Sequence, residues 1–324
     1  MAAHAAARAA IVLHPGKVPL DRVRRAIEAA ELSHGWLPSS WHETSAADAG
    51  RAAAQEALAG EPSVVIVAGG DGTVRTVGSV LAGSGTPMAL LPFGTGNLLA
   101  RNLGAPLADV DASVAIAFGG GSREIDVAVA ELEDEAGERS SHAFLVMAGI
   151  GLDAAMAEQT SALAKRHVGW LAYVPPIARS ITANRLFQLR YRVDGGAART
   201  ARAHTIIVGN CGTLTGGMLL LPGAVIDDGL LDVVMLRPKG RFGWARIGTR
   251  LTVQGVANRS VLGRRMLRVT PDLQALAYAQ GRRFDVRFEI PHVVQLDGDV
   301  LGTVSRARIT IRPADLRVAT GVGG

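Results

Sequence analysis

Apolar and polar positions alternate in two different rhythms along this chain. A short apolar run at residues 11–13 ends in His14-Pro15-Gly16 and predicts a strand followed by a turn. Residues 20–32 repeat apolar side chains at helical spacing, with Val23, Ile27 and Ala30 on one stripe, and predict a helix. A second helix is predicted over 46–58. The sequence Ser-Val-Val-Ile-Val-Ala at 63–68 then reads as a fully buried strand, because it is β-branched without polar alternation. Residues 73–81 read as helix, 88–91 as strand, and 97–103 as the start of another helix. Strands that are apolar throughout, alternating with helices, make a parallel sheet covered on both faces.

From about residue 121 the elements shorten. Strand-like segments fall at 125–133, 142–148, 186–193, 204–209, 231–236, 284–290 and 293–296, with turn signals such as Asp194-Gly195-Gly196 and Asp297-Gly298 between some of them. Helices are predicted near 153–163, 168–181 and 242–254, and no fixed-period repeat occurs. The expected architecture is an α/β N-terminal domain over 1–120, with a doubly wound, mostly parallel sheet. A β-rich C-terminal domain follows over 121–304. The last strand, at 306–312, is expected to return, so that 305–324 completes the first domain.

Composition narrows the classes. A length of 324 residues suits two domains, and 48% hydrophobic against 19% charged residues excludes disorder, coiled coil and collagen. The 39 glycines sit in short clusters, which suggests tight turns and close approach of backbone to a ligand. Cys211 is the single cysteine and has no internal disulfide partner, as expected of a reducing compartment. Two uncharged stretches, 76–100 and 203–226, each carry five glycines and at least one proline. Neither offers the roughly 20 continuous apolar residues that a span needs. The alanine-rich start runs straight into the first strand rather than reading as a signal peptide, so a soluble, cytoplasmic protein is expected.

Charge is uneven. The net charge is +5, and between Asp232 and Asp272 there is no acidic residue, while eight arginines from Arg237 to Arg268 and Lys239 fall there. Such a block invites an anionic partner. No aromatic interleaving, zinc spacing or helix-turn-helix signature accompanies it, which disfavours nucleic acid and favours an acidic membrane surface.

The strongest chemical signal is Gly69-Gly70-Asp71-Gly72-Thr73, directly after the buried strand. Glycines at the carboxyl end of a strand let backbone N–H groups approach phosphate oxygens, and the helix that follows presents its positive end. Asp71 could orient a nucleotide hydroxyl, a metal-bound water or the loop itself. A second loop, Pro92-Phe93-Gly94-Thr95-Gly96-Asn97, follows the next strand and adds a hydroxyl and an amide. No Walker A sequence occurs, since Gly16-Lys17 is followed by Val18, and protein-kinase motifs are missing. A Gly-x-Gly-x-x-Ala string at 149–154 lacks the acidic residue that a dinucleotide site needs about 20 positions on. The eight histidines do not cluster at metal spacing, and there is no Gly-x-Ser-x-Gly elbow.

In this order the motifs resemble the diacylglycerol kinase catalytic-domain family, which includes bacterial soluble lipid kinases and sphingosine kinases, with NAD kinases more distant. The likeness rests on the loop at 69–73, on PFGTGNLLARNLG at 92–104, on RHVGWLAY at 166–173, on GGMLLLPGAVIDDGLLDV at 216–233, and on Asp297-Gly298-Asp299, similar to the family's Asp-Gly-Glu turn. It implies an ATP- and Mg²⁺-dependent lipid kinase. Thr44, Gly69, Gly70, Asp71, Gly72, Thr73 and Thr95, with Asn97 beside them, would hold ATP. Asp228 and the backbone oxygen of Leu230 would bind Mg²⁺, with Asp126 joining through water. Asp299 would be the catalytic base. The implied partners are a membrane lipid as substrate and an anionic membrane surface touched peripherally, with no nucleic acid; a homodimer is left open. Alternatives are a soluble-substrate kinase such as an NAD kinase, and a non-catalytic lipid- or nucleotide-binding relative. The chain departs from the family pattern at three positions. His14 stands for the usual Asn, Leu98 for a frequent Asp, and Asp299 for Glu.

Overall fold

The strand Val64–Gly69 is buried at every position, as its unbroken apolar sequence demands. It is the third strand (β3) of a parallel sheet, seen in a computed structural model that describes residues 7–45, 47–107, 109–151, 186–212, 221, 223–237 and 276–321. The chain divides into two units, one of Met1–Val127 with Pro313–Gly324, the other of Ala128–Arg312.

In the first unit, β1 (Arg8–Leu13) pairs in parallel with β2 (Leu37–Glu43) on one side and with β3 on the other. Next to β3 lies β4 (Met88–Pro92), and the end of a long last strand, β14 (Asp299–Ala319), adds to β4 through Val318 and Met88. Helices cover both faces. Ile11, Ile66 and Leu91 pack with Val23 and Ile27 of α1 (Leu20–His34) and with Val114 of α5 (Val110–Phe118). Helices α2 (Arg51–Ala59) and α3 (Asp71–Leu81) contact each other as well as β1 and β3 respectively. A five-residue helix, α4 (Leu98–Asn102), follows β4. The chain passes from β1 to β2 in one direction and then to β3 on the opposite side. That reversal is the switch point at which open α/β sheets take ligands, outside the carboxyl ends of the strands.

Two elements here were not anticipated from sequence. Strand β2 (LPSSWHE) is a half-exposed edge strand with a proline and no alternation, held by its register against β1. Helix α5 has a nearly uniform apolar composition, so it carries no helical stripe, although Asp109 caps it by accepting from the Ala112 N–H at 3.0 Å.

The second unit is antiparallel. Its strands run in the order β12 (Leu276–Gly281), β11 (Leu231–Leu236), β10 (Thr205–Gly209), β7 (Met147–Ile150), β13 (Arg283–Leu296) and β14. β8 (Phe187–Val193) pairs with the first half of β13, and β9 (Arg199–Ala203) with β8. β6 (Arg139–Phe144) pairs with β5 (Ser122–Glu133). The segments expected at 284–290 and 293–296 are one strand, whose register with β14 shifts between Arg287 and His292, around Pro291. Residues 306–310 of β14 pair with β13 in this unit, and the return to the first unit begins at Pro313. The core gathers Phe144, Leu189, Phe284, Leu296 and Ile309. The helices expected near 153–163, 168–181 and 242–254, and RHVGWLAY at 166–173, lie outside the described residues, as does the basic block beyond Arg237.

Candidate active site

At the switch point, β3 runs into Gly70 and then α3, whose first turn has no side-chain cap. Its leading N–H groups are the kind of donor array that takes an anion. A Cβ on Gly69 would lie 2.8 Å from Thr73 Oγ1, and one on Gly94 would lie 2.7 Å from the Cα of Gly70, so both positions require glycine for close approach. The two glycine loops therefore touch backbone to backbone, and the Phe93 N–H donates to the Gly69 carbonyl at 2.8 Å.

Asp71 joins them. Its carboxylate accepts from the N–H of Asn97 at 2.9 Å and from the N–H of Leu98 at 2.6 Å. Of the three roles open to Asp71 in the sequence, the contacts are those of the loop organiser. Asn97, left-handed at φ 47°, turns its own amide inward, accepting from the Gly94 N–H at 2.8 Å and donating to the Gly94 carbonyl at 2.8 Å. Leu98 serves through its N–H, so the apolar side chain is no obstacle there. Thr95 is left exposed on the second loop, and Thr44 follows β2, its N–H bonded to the Leu13 carbonyl at 2.8 Å. The turn after β1 adds a residue that sequence reasoning passed over. Exposed Lys17 sets its Nζ 3.8 Å from the Cβ position of Gly70, and the signal for it was Gly16-Lys17 at a strand end. His14 closes that turn by accepting the Gly16 N–H on Nδ1 at 3.2 Å, as an Asn side chain would.

The acidic candidates are divided between the units. Asp126 belongs to the first; it is buried, and its Oδ1 accepts from the Ala314 N–H at 2.8 Å. Asp228, Leu230 and Asp299 belong to the second. Asp228 is exposed and accepts from the Leu230 N–H at 2.9 Å, closing the Asp-Gly turn. Two positions on, Asp232 is fully buried in β11 and takes one hydrogen bond, from Gln280 at 3.0 Å. Burial pushes its carboxyl up to about 7, the Gln280 bond opposes this, and the Asp228 charge adds to it.

Asp299 is exposed on the first position after a two-residue hairpin, Asp297-Gly298, that links β13 to β14. Both turn residues have positive φ, 48° and 93°, as a tight I′-like turn requires. The turn is anchored from below. The buried carboxylate of Asp297 accepts three backbone N–H groups, those of Leu145, Val146 and Met147, each at 2.9 Å. The same Val146 carbonyl accepts from the Asn210 N–H at 2.9 Å, and the Asn210 side chain donates to the Ile226 carbonyl at 3.4 Å, at the start of the Asp228 turn. The Asp297-Gly298 turn and the Asp228 turn are thus tied through one buried strand crossing. Cys211 sits in it with Sγ 3.6 Å from the Leu145 carbonyl, and burial pushes its thiol far above the usual range, so it is inert.

Comparison with known proteins gives this arrangement a family. The model for the diacylglycerol kinase catalytic domain matches residues 17–130, and that for the YegS C-terminal NAD kinase beta sandwich-like domain matches 146–320. The chain belongs to the diacylglycerol kinase and YegS-like lipid kinase family. A "Probable lipid kinase YegS-like" protein of Pseudomonas fluorescens (strain Pf-5) is 32% identical over 236 residues, covering 71% of this chain and 73% of that one. A diacylglycerol kinase of Mycobacterium tuberculosis (strain H37Rv) is 30% identical over 185 residues, 57% of this chain; the match spans only 58% of that relative's length. A crystal structure of a diacylglycerol kinase from Bacillus anthracis str. Sterne superposes with a TM-score of 0.71 at 20% identity, covering 97% of each chain, a likeness of fold. No helix among the described residues is long and apolar enough to cross a membrane.

Proposed function

We propose that this protein transfers the γ-phosphate of ATP to a hydroxyl of diacylglycerol or a related membrane lipid. The observation that carries this reading is the pair of glycine loops joined by Asp71 at the switch point, in a chain of a lipid kinase family. The N-terminus of α3 and the loop N–H groups cradle the phosphates, Lys17 adds a positive charge, and Thr44, Thr73 and Thr95 supply hydroxyls. Phosphoryl transfer asks mostly for positioning and charge neutralisation. Asp299 accepts the proton of the lipid hydroxyl as that oxygen bonds to the γ-phosphorus, and the bond to the ADP oxygen breaks.

The donor set suits Mg²⁺, which is typically held by one or two carboxylates with substrate phosphates completing its shell. Among the described residues no group of three acidic, His or Cys side chains converges. Asp228 and the Leu230 carbonyl would hold the ion, Asp126 would bond to its water, and the ion would neutralise developing phosphate charge. The test is transfer of labelled γ-phosphate from Mg-ATP to diacylglycerol, ceramide, sphingosine and polyprenol in mixed micelles, with NAD as a soluble acceptor. Label in a lipid that drops at least about a hundredfold in Asp299→Asn is the expected outcome. Label in NAD alone refutes the lipid reading.

A further inference from the structure

The outward face of the second unit's β9–β8–β13–β14 sheet is paved with arginine. Its inward positions, such as Ala201, Leu189, Val286 and Ala307, are buried. The alternate positions face away. Register sets Arg190 of β8 directly opposite Arg287 of β13, and Arg287 directly opposite Arg306 of β14. Three like charges thus stand side by side across neighbouring strands about 4.8 Å apart. Arg192 and Arg202 extend the row on either side, opposite Asp285 and Gln188 respectively.

Acidic neighbours do not balance the row. Asp285 is shared by Arg283 at 2.9 Å and Arg308 at 2.8 Å, Glu131 lies 3.5 Å from Arg308, and Glu289 takes a hydrogen bond from Gln188 at 3.2 Å. Arg190, Arg287 and Arg306 are exposed and form no ion pair among the described residues. Like charges directly opposite each other weaken a sheet, so the row costs stability unless an anion relieves it.

At the end of the same strand pair, where Leu189 faces Phe288, two large apolar side chains are exposed: Ile290 at 71% and Leu186 at 41%. The geometry points to this face, with its apolar rim, as a docking surface for an anionic lipid bilayer. A planar array of cations beside exposed aliphatic side chains matches charged headgroups and the acyl boundary beneath them. A single-stranded nucleic acid would call instead for stacking rings, and the rings of Phe284, Phe288 and Tyr191 pack on the core side. The choice of a bilayer over other polyanions rests on the lipid-kinase reading above. None of these arginines belongs to the basic block at 237–268 in the sequence.

The test is co-sedimentation of the full chain with phosphatidylcholine vesicles, with and without phosphatidylglycerol, at low and high salt. The triple variant Arg190→Gln, Arg287→Gln, Arg306→Gln is compared with Arg22→Gln, Arg25→Gln, Arg51→Gln, which removes the same charge from the first unit. The face variant is expected to lose on the order of a hundredfold in partition onto anionic vesicles, with the control within about threefold of the parent. Ile290→Ser is expected to weaken the binding that persists at high salt. Equal loss in both triples, unchanged binding in the face variant, equal binding to neutral vesicles, or preferential retention of duplex or single-stranded nucleic acid each overturns the proposal. Transfer to a short-chain diacylglycerol in detergent micelles is expected to be unchanged in the face variant. Absence of transfer to every lipid of the panel in the parent refutes the kinase reading and leaves the vesicle result to decide the docking surface.

Discussion

Asp297 does not touch substrate in the proposed reaction, yet three buried N–H groups converge on its carboxylate. Charge-assisted bonds of this kind are worth roughly 1.5–3 kcal/mol each, so Asp297→Ala is expected to cost at least about 3 kcal/mol of stability. Asp297→Asn keeps one acceptor but turns an amide toward an N–H, and is expected to fall between the two. Thermal unfolding measures both, and an alanine variant within about 0.5 kcal/mol of the parent would contradict the anchoring role. Asp232 gives a pH signature. Its carboxyl, raised from 3.8 to about 7, keeps a proton in the folded chain that the unfolded chain has lost. Stability contributed by this group therefore declines as pH rises from about 4 through about 7 and is level above, by at most about 4 kcal/mol. Asp232→Asn should lack that decline, so in metal-free buffer its advantage over the parent should widen from pH 5 to pH 8. Parallel curves would show that Asp232 titrates normally.

At the scale of elements, the two glycine loops work as one body because Asp71 bonds the start of α4 to the start of α3. Asp71→Asn removes the charge and one acceptor. It is expected to raise the KM for ATP by about tenfold, equivalent to the 1–2 kcal/mol of the lost bonds. Gly94→Ala should act likewise, since its Cβ would stand 2.7 Å from both Asn97 Oδ1 and the Gly70 Cα. Isothermal titration with ATP separates this from a purely chemical defect, which would leave binding intact. Apart from β2 and the uniformly apolar α5, the helices and strands of the first unit were legible in the sequence because their side chains face a core on a fixed period. Strand β2 was not, because an edge strand is defined by its neighbour's N–H and C=O groups rather than by its own side chains.

For the whole molecule, β14 carries the chain from the antiparallel unit back to the parallel one. Leu316 and Val318 are buried there, and the Ala314 N–H is the partner of Asp126. Ending the chain before Pro313 removes both of these buried side chains together with that donor, at roughly 1.5–3 kcal/mol for each side chain. The truncated chain is expected to unfold at a lower temperature and to lose ATP binding with it. Unchanged ATP affinity would show that the parallel sheet closes without this strand.

The sequence by itself determined the fold class, the place of the glycine loops at strand ends, and the order of motifs that identifies the family. The first two follow from local periodicity and from glycine, which alone lets backbone approach so closely; the third rests on resemblance to known kinases. Only the tertiary structure decided that Asp71 faces the loops themselves, since its bonds span 26 and 27 residues. It likewise decided that Asp297 is an anchor, through bonds to residues 150–152 positions away. The arginine row depends in the same way on the register of β8 against β13, two strands far apart in sequence. No reading of one segment reveals which charges will stand opposite one another, because register is set by the pairing of strands across a shared core.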